Sequence, residues 1–259
     1  VLVTINEEDA RVAGRFRLKR GGSVVKIPGV GLDLERYAFR PWLRKEARRR
    51  LGLEKGQLGF LTAARLDQDK NYQTVLAALA TIKDLDFQYY ICGEGPYRKA
   101  LKEMTERLGL AGRVHFLGYR KDLEVLLQGI DIFLFPSIRE GLGMAPLEAM
   151  ACRRAVIGAD NRGTREYLRH GENGLLCAGE DEAEFAHAIR LLAEDAGLRN
   201  RLGAHAFRDI PRFSSQNTAR IMCRVYETAF PQILNREVQK LEKIRENQCD
   251  YECVSTGQF

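Results

Sequence analysis

The chain of 259 residues has no run of eighteen apolar residues, which excludes a transmembrane helix. The stretch from Val1 to Ile5 is too short for a signal peptide and lacks its basic flank; the chain also lacks a start methionine and reads either as beginning inside a longer protein or as a processed fragment. Histidine is scarce: His115, His170, His187 and His205 stand in no metal-ligand or triad spacing, and His115, inside a strand-like run, reads as a packed core side chain. Gly-x-Ser-x-Gly, His-Glu-x-x-His and the Walker lysine are all missing, so hydrolase and ATPase readings have no support. Of six scattered cysteines, Cys92, Cys152 and Cys177 sit in apolar surroundings and read as reduced, buried thiols of a cytosolic protein. Cys249 and Cys253 have no second ligand pair, so no zinc site is expected there.

The hydrophobic content of 45% and charged content of 29% are ordinary for a soluble globular protein, and the length allows one large or two small domains. The net charge is +6, much of it in Arg11, Arg15, Arg17, Lys19 and Arg20 and in Arg44, Lys45, Arg48, Arg49 and Arg50. Without helix-turn-helix, zinc-finger or RNP-like patterns these runs read as solvated helix faces, or as stretches suited to an anionic membrane surface, and not as a nucleic-acid site.

From residue 57 onward strand-like and helix-like segments alternate. Apolar runs of strand length lie at 58–63, 87–92, 114–117, 132–135, 155–157 and 174–177, with helical patterns at 72–82, 97–108, 122–128, 144–152 and 164–168. Nearly continuous apolar strands suit a parallel sheet covered on both faces, and the repeat predicts an α/β fold with a doubly wound parallel sheet, Rossmann-like. Helices follow at 181–193, 198–207 and 214–230; Pro231 then interrupts before a charged helix at 233–247 and a disordered tail. The first 33 residues stand outside this repeat, with strands at 1–4 and 24–28 around a helix at 7–16, and a basic helix at 34–51 leads into the sheet.

The motifs sit where strands end, the edge at which such sheets bind ligands. After the run Ile132–Phe135 comes Glu140-Gly141-Leu142-Gly143-Met144-Ala145-Pro146-Leu147-Glu148, a glycine loop opening a helix. Free backbone N–H groups and the positive end of the helix dipole make that junction a phosphate cradle. Glu140 enters at the loop and Glu148 lies about one turn into the helix, so both can face one ligand bearing phosphates and hydroxyls, such as a nucleotide-sugar. A second motif, with Arg65 and Lys70, follows the first sheet strand; an arginine fork and a lysine point charge suit a diphosphate and would stabilise its charge as it leaves. Pairing of Arg65 and Lys70 with Asp67, Asp69 or solvent is the plainer alternative. Gly93 and Gly95 read as a tight turn at the pocket rim, since the third glycine of a dinucleotide fingerprint is missing. Gly118 with Tyr119 or Arg120 reads either as a wall for a planar base or as an ordinary loop. In Asn161-Arg162-Gly163-Thr164-Arg165-Glu166, Thr164 reads as a cap and Glu166 as a partner of Arg162 or Arg165.

Together these motifs resemble the family 4 ("group 1") retaining glycosyltransferases of the GT-B fold, over about residues 20–230. The most specific pieces are the Glu140 to Glu148 run and Ala64-Arg65-Leu66 with Lys70-Asn71; Gly93, Gly95, Pro96, the stretch 116–118 and the stretch 170–176 support them. The segment 27–33 resembles the part that leaves the family's N-terminal domain, and 161–166 looks like the bacterial polysaccharide-biosynthesis subgroup. The resemblance implies retaining sugar transfer from a nucleotide-diphosphate donor, a UDP-sugar by the family's habit, without a metal ion or other cofactor. It assigns Arg65 and Lys70 to the diphosphate, Glu148 to the ribose, and Glu140 with the backbone of Gly141, Leu142, Gly143 and Met144 to the donor sugar. The amides of Met144 and Ala145 add a contact to phosphate, and the acceptor is a glycan or a lipid-linked glycan at the cytoplasmic face of the inner membrane.

The resemblance also divides the chain: 1–33 as a remnant of the N-terminal domain, 34–230 as the nucleotide-sugar-binding domain, and 231–259 as charged helix and tail. A chain without the remaining N-terminal domain is expected to lack the acceptor site, and its orphan strands to expose apolar surface that favours self-association. Two other readings compete: a non-catalytic nucleotide-sugar-binding module, and a GT-B nucleotide-sugar epimerase, for which the needed extra acid and histidine groups are not found.

Overall fold

The computed structural model describes residues 1–230, so the expectations for 231–259, including Cys249 and Cys253, lie outside it. The chain opens with β1 (Leu2–Thr4), α1 (Glu7–Ala13) and β2 (Val24–Lys26), and the two strands pair in parallel, Leu2 with Val24 and Thr4 with Lys26. Asn6 caps α1 by accepting from the Asp9 N–H at 2.8 Å, and three acidic residues in the first turn suit the helix dipole. The helix stops at Gly14, short of the expected end at residue 16. Val3, Val12 and Phe16 leave apolar surface exposed on this unit.

The expected helix over 34–51 is corrected. Only α2 (Arg44–Leu51) is α-helical, preceded by a single 3-10 turn, Pro41–Leu43. Proline lacks an N–H and pushes the residue before it out of the helical region, and Arg40 sits at φ −127°, ψ 80°. Upstream, the Asp33 carboxylate accepts from the N–H groups of Glu35 and Arg36, forming a turn that points Tyr37 inward.

The main sheet consists of β3 (Leu58–Ala63), β4 (Phe87–Cys92), β5 (Val114–Gly118), β6 (Ile132–Phe135), β7 (Ala155–Ala159) and β8 (Leu175–Cys177). All pairings are parallel, in the order β5-β4-β3-β6-β7-β8. The crossovers carry α3 (Tyr72–Thr81), α4 (Arg98–Arg107), α5 (Leu123–Gly129) and α6 (Met144–Ala151); α7 (Glu182–Glu194), α8 (Ala196–Asp209) and α9 (Ser215–Ala229) follow β8. Phe60, Tyr89, Ile91, Ile132 and Leu134 face one apolar cluster, while Leu61, Tyr90, Cys92, Phe133 and Phe135 face the other. That alternation explains why the strands carry almost no polar residue: each face buries its own side chains. Among the described residues no helix is long and apolar enough to cross a membrane.

The direction of winding reverses between β3 and β6, which pair although two other strands separate them in the chain. Loops leaving the carboxyl ends on either side of this switch diverge and leave a crevice.

Candidate functional site

A cleft of about 470 Å³ opens at that switch point. Arg65 reaches it from the loop after β3, Gly93 and Glu94 from the loop after β4, Tyr119 and Arg120 from the loop after β5, and Met144, Ala145 and Glu148 from α6. Gly143 caps α6 at φ 88°, and a Cβ there would lie 2.8 Å from the Phe135 ring, so only glycine lets the chain turn so sharply over β6. No side chain caps this helix, and the Met144 and Ala145 N–H groups donate to no acceptor among the described residues. Pro146, in the first turn, has no N–H to satisfy.

Of the two carboxylates lining the cleft, Glu94 is exposed and pairs with Arg98, and Glu148 is half-buried. Burial raises the Glu148 pKa above the ordinary value, and the hydroxyl of Tyr37 and the charge of Arg36 oppose that rise. Tyr37 itself is pushed upward, first by burial and then by the Glu148 charge. The sequence carries no sign of this partnership, because Tyr37 sits in the stretch expected to be helical.

Lys70 and Glu140 lie at the same sheet edge but do not line the cleft. They form an ion pair of 2.5 Å, largely sheltered from solvent. Glu140 lines a second recess of about 410 Å³ with Ile138, Asp160, Asn161 and Arg162. Glu140 and Glu148, expected to face one ligand, open into different recesses of the same sheet edge, because the loop that separates them turns the two carboxylates apart. Arg65 takes the plainer course weighed for it, pairing with Asp67 at 3.0 Å with 70% of its side chain exposed. Tyr119 stands at the mouth, 74% exposed, and Arg120 is held by Asp122 at 2.8 Å. Gly118 does not line the cleft; its carbonyl accepts from the Gly93 N–H at 2.8 Å.

The glycine loop is fastened from behind. The Leu142 side chain is buried beside Gly29, so of Leu142 only the backbone is offered to a ligand. The buried Asn6 amide donates to the Gly141 carbonyl at 2.9 Å, linking α1 to the loop, and Arg162 reaches Asp9 at 2.8 Å. The Tyr167 hydroxyl lies beneath Gly143 with no hydrogen-bond partner among the described residues. The Asn6 contact was invisible in the sequence; an asparagine three residues before an acid signals a helix cap, not a bond across the fold.

The neighbouring expectations divide. Gly93 and Gly95 do not themselves turn; they run past the backbone of Ala64 to Leu66, against which each packs, and the turn follows at Pro96 and Tyr97. Gly163, not Thr164, stands at the cap of the turn Thr164–Glu166, and Thr164 and Asn161 brace its start: the Thr164 hydroxyl accepts from the Asn161 N–H and the Asn161 amide oxygen from the Thr164 N–H, each at 3.0 Å. Glu166 pairs with Lys26 at 3.0 Å instead of with Arg162 or Arg165; those two take Asp9 and Asp160. His115 is half-buried, stacked on Tyr90 with ring centroids 5.2 Å apart. Among the described residues no three His, Cys, Asp or Glu side chains converge as a metal-ligand set.

Comparison with known proteins adds to this geometry. The family model described as "Glycosyl transferases group 1" matches residues 44–209. A Bacillus subtilis (strain 168) protein named "Putative glycosyltransferase EpsD" is 34% identical over 228 residues, covering 87% of this chain and 60% of that protein. The N,N'-diacetylbacillosaminyl-diphospho-undecaprenol alpha-1,3-N-acetylgalactosaminyltransferase of Campylobacter jejuni is 27% identical, covering 87% and 59%. The chain thus spans 60% or less of the length of these curated relatives. Among solved structures, Anabaena Alr3699/HepE in complex with UDP and glucose superimposes with a TM-score of 0.80 at 23% identity, covering 88% of this chain and 62% of that one, a likeness of fold.

Proposed function

Because the chain belongs to the group 1 glycosyl transferase family, we propose that it supplies the donor-binding part of an enzyme that transfers a sugar, with retention, from a nucleotide-diphosphate sugar to a glycan or lipid-linked acceptor in polysaccharide biosynthesis. The observation that carries this reading is the cleft itself: one half-buried carboxylate, Glu148, beside two N–H groups at a helix start that are free among the described residues. Ribose hydroxyls can donate to Glu148 and replace the hydration it has lost, while phosphate oxygens accept from Met144 and Ala145.

In this reading Arg65 and Lys70 hold the diphosphate and stabilise its charge as the glycosidic bond breaks, which leaves no step to a metal ion. Both cations are kept neutralised until the donor arrives. The exposed Arg65–Asp67 pair is weak and readily exchanged for phosphate oxygens. Lys70 is shared with Glu140, so a donor that draws on Lys70 also frees the Glu140 carboxylate for the sugar hydroxyls. Gly141, Leu142 and Gly143 contribute backbone to the donor sugar, and Tyr119 the wall for the base, on a loop that Gly118 positions from outside the cleft. UDP is the proposed nucleotide, in keeping with the UDP bound by the Anabaena protein. A lipid-linked acceptor at the cytoplasmic membrane face is in keeping with the diphospho-undecaprenol in the Campylobacter enzyme's name.

Calorimetric titration with UDP, UDP-glucose, UDP-GlcNAc and GDP-mannose tests the proposal. One nucleotide should bind, and Arg65→Ala should weaken it by roughly 10–100-fold, the worth of a charge-assisted hydrogen bond. Binding that neither Arg65→Ala nor Glu148→Ala alters would remove this reading of the cleft.

A further inference from the structure

The opposite edge of the main sheet holds a further polar cavity, of about 320 Å³. Arg44, Arg153, Arg154 and Arg199 line it, together with Gln128 and Asp131. Asp131 immediately precedes β6, and Arg153 and Arg154 immediately precede β7, so the cavity opens at the amino ends of the strands, away from the cleft.

Its charges do not balance. Asp131 is the one carboxylate in the lining, and it is engaged by Arg44 at 2.6 Å and Arg48 at 3.3 Å. Arg153, Arg154 and Arg199 have no carboxylate partner among the described residues. Each is nevertheless fixed in place. Arg154 donates to the carbonyls of Cys152 at 2.8 Å and Ile130 at 3.0 Å, and Arg199 donates to the Leu192 and Ala193 carbonyls at the end of α7. Arg153 and Arg154 lie over the Phe39 ring, at 5.3 and 5.5 Å from its centroid. Arg153 also holds the left-handed backbone conformation, at φ 58°, which a residue with a Cβ keeps only where its surroundings impose it.

Burial, and then the nearby Arg44 charge, push the Arg154 guanidinium down to about 10. A bound anion offsets both the burial and the repulsion. Guanidinium forks match phosphate oxygens two at a time, and a guanidinium has five N–H groups, more than these arginines use internally.

We propose that this cavity binds the phosphate or diphosphate group of a ligand distinct from the sugar donor, with Arg153, Arg154 and Arg199 as its cationic contacts. A phosphorylated small molecule and an anionic lipid headgroup share that chemistry.

The test uses the whole chain carrying Arg65→Ala, so that the cleft contributes little. Inorganic pyrophosphate is titrated calorimetrically, and in parallel the protein is sedimented with phosphatidylglycerol vesicles. Adding Arg153→Gln and Arg199→Gln should weaken one of the two interactions at least tenfold, and Arg153→Lys alone should keep part of it. Both exchanged side chains reach solvent, and circular dichroism checks that the variant is folded. Pyrophosphate binding lost in the variant identifies a free phosphate ligand; vesicle binding alone lost identifies a headgroup. Failure of the chain to bind either probe, or binding indifferent to both substitutions, overturns the proposal. Neither outcome depends on whether the cleft binds a nucleotide-sugar.

Discussion

Burial holds the Glu148 carboxyl above its ordinary range, against the opposing pull of Tyr37 and Arg36. The folded chain therefore takes up this proton more readily than the unfolded chain does. The resulting stabilisation is complete below the unfolded carboxylate pKa of about 4.3 and is lost as pH rises through the folded value. The charged form of Glu148 is a strain on the fold, retained in this reading because ribose hydroxyls need a carboxylate to bind. Glu148→Gln is expected to raise stability at pH 7 by about 1 kcal/mol while weakening nucleotide binding. Thermal unfolding should show the gain at pH 7 and little of it near pH 4. A gain of equal size at both pH values would mean that charge burial is not its source.

Among the elements, the loops after β3 and β4 are interlocked: Ala64 donates to the Cys92 carbonyl and Leu66 to that of Glu94, at 3.1 and 2.9 Å. Gly93 makes this possible at φ 145°, where a Cβ would come within 1.9 Å of the Ala64 carbonyl oxygen. Gly93→Ala is expected to cost about 3 kcal/mol or more in urea unfolding, whereas Gly112→Ala, in open space, should be nearly neutral. The six strands were legible because both faces of each are apolar, which leaves short apolar runs punctuated by glycine. The helix start at Met144 was legible from its glycine loop. The stretch 34–40 was misread because its charges and apolar residues mimic a helical period, and the turn at Asp33 and the proline at 41 decide it locally. The division of Glu140 and Glu148 between two recesses depends on contacts at long range, with Lys70 seventy residues away and Asn6 135 residues away, and no periodicity encodes them.

Taken whole, the molecule joins two blocks of strands that are each local in sequence, β3 to β5 and β6 to β8, through the single pairing of β3 with β6. The cleft draws its walls from both blocks, with Arg65 and Tyr119 from the first and Met144 and Glu148 from the second. Contacts between residues far apart in the chain carry the larger loop-closure entropy and form late. In a refolding experiment, circular dichroism should therefore recover before the capacity to bind nucleotide, and destabilising the β3–β6 seam should lengthen that lag. Simultaneous recovery would show that the seam nucleates folding. A chain that assembles in this order spends its folding time with two finished half-sheets and no site, so the ligand can act only on the last step, as a clasp that slows the halves from parting.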